Sequence, residues 1–172
     1  MLKAKTVNES VTIMTEHIMP NDTNPLGNLM GGNLMRWMDI AAAVCAGKHC
    51  GCYVVTASVD YVSFQGPIHL GDVITITACV TRAFNTSVEI FVEVVSADIK
   101  GGNMRKCNDA YLTFVALDDV TRKPTAMPPV LPLNESEKQR YEAAARRREI
   151  RLVQSGKIKL EDAELLKAIF KA

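Results

Sequence analysis

One stretch without a breaker decides what this chain can fold into. Residues 33–48 contain no proline and a single glycine, Gly47, are rich in Ala, Leu and Met, and carry charge only at Arg36, Asp39 and Lys48. Such a run reads as a helix that is apolar nearly all round, and a helix of that kind has to be buried. After Gly51 the period changes. YVVTASVDYVSF (53–64), DVITITACVTRAF (72–84), SVEIFVEVVSADI (87–99) and RKCNDAYLTFVALD (105–118) are rich in β-branched and aromatic residues, and each predicts a long strand. The connections QGPIHLGD, FNTS and KGGNM are short and turn-like, which predicts antiparallel hairpins or close returns. A single apolar helix ahead of four long strands is buried most economically by a sheet wrapped around it, an α+β architecture.

The flanks are simpler. SVTIMTEHI (10–18) alternates like a short strand, and Pro20, Asn21, Asp22, Asn24, Pro25 and Gly27 crowd into a loop that Gly31-Gly32 ends where the helix begins. From residue 119 the chain is Pro-rich and extended. Residues 135–154 then read as a polar, charged helix, interrupted by Ser155-Gly156, and LEDAELLKAIFKA places Leu160, Ala163, Leu166, Ala168 and Ile169 roughly along one helical face. At 172 residues the expectation is one domain, residues 1–118, with a connection and C-terminal helical extension over 119–172. A formal charge of +1 offers no global field for nucleic acid or a membrane surface. Apolar runs too short to span a bilayer, and a start without a signal-type apolar core, predict a cytosolic protein. The five cysteines lack paired CxxC spacing and suit packed thiols better than disulfides or a metal site, so no metal is expected.

Asp39 is the residue the helix does not need. It lies eight residues past Gly31, about 12 Å of rise at ~1.5 Å per residue, and shares a face with Met35, Ala42, Ala43 and Ala46, small neighbours that let another molecule approach. A thin solvent-exposed stripe shared with Arg36 accounts for the same pattern. The first-turn N–H groups of a helix lack internal partners and sit at its positive end, so Gly31-Gly32 could form an oxyanion hole, or serve only as a flexible entry. A carboxylate beside such a hole can hydrolyse an activated acyl group without a Ser-His pair. Other titratable groups have plainer readings: Asp22 as a turn residue, His17 as a strand end, Lys48-His49 as cations at the helix C-terminus, and Asp60 as a partner within the sheet or at an interface.

The strings PNDTNPLGNLMGGNLMRWMDIAA, TASVDYVSFQGPIHLGDVI, NTSVEIFVEV and AYLTFVALD resemble the hotdog-fold acyl-CoA thioesterases of the acyl-CoA hydrolase family. The match runs over about residues 10–151, and its most specific part is DTN-x-x-G-x-x-x-GG-x-x-M-x-x-MD. The resemblance implies a helix wrapped in an antiparallel sheet, and hydrolysis of acyl-CoA to CoA and a carboxylic acid. It implies Asp39 as the catalytic carboxylate, Asn24 in the same site from across a dimer interface, and Gly31 or Gly32 as the oxyanion donor. It further implies a homodimer assembled into a trimer of dimers, a hexamer, with coenzyme A as part of substrate and product and no other cofactor required.

Coenzyme A carries a diphosphate and a 3′-phosphate, which call for Arg, Lys and backbone N–H donors. The resemblance assigns Arg82 and the Asn85-Thr86-Ser87 turn to the pantetheine and phosphates of the ligand. Arg146, Arg147 and Arg148, with Arg151, put four arginines within six residues, read either as a solvated helix face or as phosphate donors. Two other functions fit the same fold. One is a dehydratase, which would need a His paired with an acid, and no His falls in the loop or helix start. The other is an acyl-CoA-binding regulatory protein without hydrolase activity, which would not need Asp39.

Overall fold

The structure, a computed structural model, describes residues 2–170, and the chain divides into two compact units, Met1–Leu131 and Pro132–Ala172. The residues from 119 to 131 belong to the first unit, where Thr125 N–H bonds Ala116 O and Met127 N–H bonds Asn85 O, both at 2.9–3.0 Å. There the two-residue strands β1 (Lys5–Thr6) and β7 (Val130–Leu131) pair in parallel.

The long helix α1 spans Gly31–Cys50. Five strands face it: β2 (Thr12–His17), β3 (Tyr53–Phe64), β4 (Val73–Ala83), β5 (Ser87–Ala97) and β6 (Arg105–Leu117). They form one antiparallel sheet in the order β2-β4-β5-β6-β3. Residues opposite one another across such strands share a face. The fully buried Ile74, Ile76, Ala78 and Val80 of β4, Val88, Ile90, Val92 and Val94 of β5, and Ala110 and Ala116 of β6 line the helix side with Leu112 and Phe114. Leu34, Met38, Ala41, Ala42, Cys45 and Ala46 meet them from α1. The sheet covers one side of the helix. Gly32, Arg36, Ile40, Val44 and Lys48, spaced by four, form a stripe that stays exposed in the single chain, Ile40 at 39% and Val44 at 45%.

One expected return is different. Strands β4-β5 and β5-β6 are hairpins, but β3 and β4 lie near opposite edges, so residues 65–72 cross the sheet end. Turn composition shows that a chain reverses, not which strand it meets next. The crossing is pinned by Asp72, whose carboxylate accepts from His69 N–H (2.9 Å), Ser96 Oγ (3.0 Å) and Arg105 Nη2 (2.7 Å). Burial pushes the Asp72 carboxyl up, but these donors outweigh it and hold it below its ordinary range.

In the second unit α2 (Glu135–Gln154) is capped by Asn134, whose Oδ1 accepts from Glu137 N–H at 2.9 Å while Glu137 accepts from Leu133 N–H. The expected docking face at the C-terminal end does not form as one helix. Leu160–Asp162 is a 3₁₀ turn and α3 begins at Glu164, so Leu160 is exposed, as is Ala168, while Ala163 is buried; the Ile169 side chain lies outside the described residues.

Candidate active site

Helix α1 starts unprotected. Its N-cap residue, Met30, supplies no side-chain acceptor, and among the described residues the N–H groups of Gly31 and Gly32 have no protein partner. A Cβ on Gly32 would meet nothing within 4 Å, and one on Gly31 would meet only the Phe64 ring at 3.5 Å. Neither packing nor a left-handed backbone calls for these glycines, which cost helix stability relative to alanine. The result is a pair of free donors at the positive end of a 20-residue helix.

Two turns further on, Asp39 is half-buried and lines a cleft of about 350 Å³ with Gly32, Met35, Arg36, Met38, Val59, Val62 and Leu112. The carboxylate and Gly32 of the free helix start therefore open into one space. Thr56 of β3 donates its hydroxyl to Asp39 Oδ1 at 2.8 Å, which fixes one oxygen, and among the described residues Oδ2 has no side-chain partner. Sequence reading missed Thr56, because a threonine in an alternating run looks like an ordinary sheet former. The register explains its position. Thr56 pairs with Phe114 and Val59 with Leu112, both on the helix side, although they are three positions apart; the irregularity between Thr56 and Ser58 supplies the extra residue. A second irregularity between Asp60 and Ser63 holds Tyr61 at φ 44°, a strained conformation for a non-glycine residue, and brings Phe64 back to the helix side.

The other predicted residues are distributed unevenly. Asn24 does not line the Asp39 cleft within one chain. Its Oδ1 accepts from Leu26 N–H (2.9 Å) and Asn28 N–H (3.2 Å), closing a loop whose tip, Leu26, is 83% exposed, while its amide nitrogen has no partner among the described residues. Asp22 is a turn residue, accepting from Met19 N–H at 3.0 Å. Gly31 lines a second cleft of about 370 Å³ with Leu34, Phe64, Gln65, Ile68 and Cys107. Arg82, Asn85, Thr86 and Ser87 are brought together by the β4-β5 hairpin, where Thr86 O accepts from Ala116 N–H and Asn85 O from Met127 N–H. Arg146, Arg147 and Arg148 lie on α2 in the second unit; Arg146 and Arg148 are exposed, and Arg147 is half-buried with Nη2 donating to Arg140 O at 3.3 Å.

Two histidines depart from expectation. The helix C-terminus is capped by Lys5, whose ammonium donates to Lys48 O (3.0 Å) and His49 O (2.8 Å), rather than by Lys48-His49. His49 is instead fully buried: Nε2–H donates to Pro128 O at 2.9 Å, so Nδ1 accepts from Ser10 Oγ at 3.1 Å. Burial pushes its pKa down from the ordinary value. A histidine also reaches the loop after all, from the crossing segment: His69 Nδ1 donates to Asn28 Oδ1 at 2.9 Å, an amide rather than an acid.

These features can be set beside known proteins. A model of the thioesterase superfamily matches residues 26–102. Mouse acyl-coenzyme A thioesterase 11 is 39% identical over 85% of this chain and 24% of its own length, so the chain spans about a quarter of that relative. The Helicobacter pylori protein VdlD is 36% identical over 85% of this chain and 83% of its own. An acyl-CoA hydrolase from Staphylococcus aureus, solved with butyryl-coenzyme A, coenzyme A and coenzyme A disulfide, superimposes with a TM-score of 0.82 at 36% identity, over 96% of this chain and 98% of its own. A hexameric acyl-CoA thioesterase gives 0.86 at 37%, over 90% and 98%. The staphylococcal protein has also been solved as variants with alanine in place of an asparagine, an aspartate and a threonine, 15 and then 17 residues apart, the intervals that separate Asn24, Asp39 and Thr56 here. With likeness of this extent in both sequence and fold, the chain belongs to the thioesterase superfamily, as a hotdog-fold member of its acyl-CoA thioesterase family.

Proposed function

We propose that the protein hydrolyses acyl-CoA thioesters to coenzyme A and a carboxylic acid. The observation that carries this reading is Asp39, set in one cleft with Gly32 of the free helix start and held through Oδ1 by Thr56. In the reading we favour, Asp39 Oδ2 takes a proton from water as the oxygen adds to the thioester carbonyl. The Gly31 and Gly32 N–H groups receive the developing oxyanion, the C–S bond breaks, and the thiolate leaves and is protonated. Direct attack by Asp39, through a mixed anhydride, uses the same geometry.

The site is completed by a second copy. Edge strand β3 leaves Tyr53, Val55, Val59, Tyr61 and Phe64 41–76% exposed, an unblunted edge that suits pairing with its equivalent in a homodimer. In that dimer Asn24 of one protomer works beside Asp39 of the other, and the dimers assemble as a trimer of dimers; the hexameric relative supports this assembly. Arg82 with Asn85, Thr86 and Ser87 meets the pantetheine and phosphates of coenzyme A, Arg146, Arg147 and Arg148 bind its nucleotide phosphates, and the domain, expected over residues 1–118, takes in residues 119–131 as well, with 132–172 as its extension. We place the protein in the cytosol; its five free thiols support a reducing compartment, and no helix among the described residues is long and apolar enough to cross a membrane.

Thiol release measured over acetyl- to palmitoyl-CoA tests the activity, and its absence with every ester would leave acyl-CoA binding without hydrolysis. A single turnover in ¹⁸O-water followed by mass analysis separates the two mechanisms, since label in the Asp39 carboxylate requires the anhydride.

A further inference from the structure

Asn108 of β6 is fully buried, and neither its Oδ1 nor its Nδ2 has a hydrogen-bond partner. Its place in the sheet is set by register: it lies between Phe64 of β3 and Val94 of β5, and Val94 in turn pairs with Ile76. Val94 and Ile76 have no exposed surface, and the neighbouring helix-side positions of β6 are Ala110, Leu112 and Phe114. A lone carboxamide in this apolar row adds nothing to packing that a leucine would not do better, and it forfeits its hydrogen bonds with water. The row runs beneath the first turn of α1, because the Phe64 ring is the nearest group to a Cβ built on Gly31. Phe64 and Cys107, the residue before Asn108, line the cleft of about 370 Å³ with Gly31 and Leu34.

We propose that the Asn108 carboxamide is a binding residue for the substrate, hydrogen-bonding an oxygen or N–H carried within a few bonds of the thioester carbon. This rests on the hydrolase reading above. A thioester whose carbonyl oxygen meets the Gly31 and Gly32 N–H groups sends one arm toward Gly32 and Asp39 and the other into the cleft that Gly31 shares with Phe64 and Cys107, next to which Asn108 is buried. The thiol arm offers an amide at that reach, and an acyl arm offers an oxygen when it is hydroxylated or oxidised at its third carbon. Phe64 is 59% exposed, and rotation of its ring is the motion that admits the ligand to Asn108.

The test compares wild type with Asn108→Leu on four substrates: butyryl-CoA, 3-hydroxybutyryl-CoA, S-butyryl-N-acetylcysteamine and S-butyryl-propanethiol. Expected is an unchanged or raised Tm together with about a tenfold loss of kcat/KM. A loss on both butyryl-CoA and the N-acetylcysteamine ester, but not on the propanethiol ester, identifies the thiol arm. A loss confined to 3-hydroxybutyryl-CoA identifies the acyl arm. Values within twofold of wild type on all four overturn the proposal and make Asn108 a purely structural feature. Asn108→Ala, which removes atoms without adding bulk, carries the test if the leucine variant misfolds. A wild type that releases no thiol from any substrate sinks the hydrolase reading instead, and titration of both proteins with a non-hydrolysable thioether analogue of butyryl-CoA then reads Asn108 independently, equal affinities overturning it.

Discussion

The two ends of α1 are treated in opposite ways. At the C-terminal end every device that stabilises a helix is present: Gly51 closes it in the left-handed conformation at φ 72°, Lys5 occupies the last carbonyls, and His49 ties the helix to Ser10 and Pro128. At the N-terminal end there is no side-chain cap, two glycines replace better helix formers, and a carboxylate sits two turns in, beside a cleft. One helix thus has a closed end that holds the fold and an open end that keeps its donors available. The difference shows where to look for chemistry: at the end where stabilising interactions were left unmade.

The largest effects should split cleanly between the ends. Asp39→Ala removes the proposed base and should lower kcat by about 10²-fold or more while moving Tm little. His49→Ala opens a cavity and strands the Ser10 hydroxyl and Pro128 carbonyl, so urea unfolding should show a loss of about 3 kcal/mol, with kcat per folded molecule preserved. Loss of turnover at normal stability from His49→Ala would break the comparison.

Next in size is the pH response of the closed end. The His49 pKa is lowered in the folded protein, so the neutral ring is favoured there, whereas the unfolded chain takes up a proton as pH falls through about 6.5. Stability should be full above that value and decline below it, at up to about 1.4 kcal/mol per pH unit, levelling off below the folded pKa. His49→Gln should flatten the urea midpoint between pH 7 and pH 5. The lowered carboxyls of Asp72, Glu9 and Asp118 add their own loss only at lower pH, below their unfolded values.

Smaller effects sharpen the open end. Gly32→Ala meets no steric obstacle and should raise stability by about 0.5 kcal/mol while lowering kcat/KM several-fold, because the methyl group intrudes on the cleft. A variant that gains stability and keeps full activity would remove Gly32 from the site. Neutralising Arg146, Arg147 and Arg148 together should raise KM for acyl-CoA a few-fold and leave an acyl-pantetheine ester unaffected, since only the former carries the nucleotide phosphates.

What could be read from the sequence follows from how local each signal is. The α1 start, the four long strands and the Asn134-capped helix are written in periodicity and breakers within a few residues, and they appear where periodicity puts them. The carboxylate at Asp39 stood out because its helix was otherwise apolar. Strand order did not, because the partner of β3 is set by how residues 65–72 cross the sheet end, which no local pattern encodes. Thr56 was hidden for the same reason, since its bond to Asp39 crosses from β3 to α1 between residues 17 apart in sequence. His49 looked like a terminal cation, and burial against Ser10 and Pro128, distant in sequence, made it a neutral core residue.

The central claim is that the open end of α1 carries the chemistry and is finished by Asn24 from a second copy. Asn24→Ala and Asp39→Ala chains, each inactive alone, can be unfolded together, refolded and assayed for thiol release. Random pairing in a two-fold dimer gives hybrids with one intact and one doubly damaged site, so the account predicts recovery of roughly a quarter of the wild-type rate. No recovery from verified hybrids would contradict it, by placing Asn24 and Asp39 in a site within one chain.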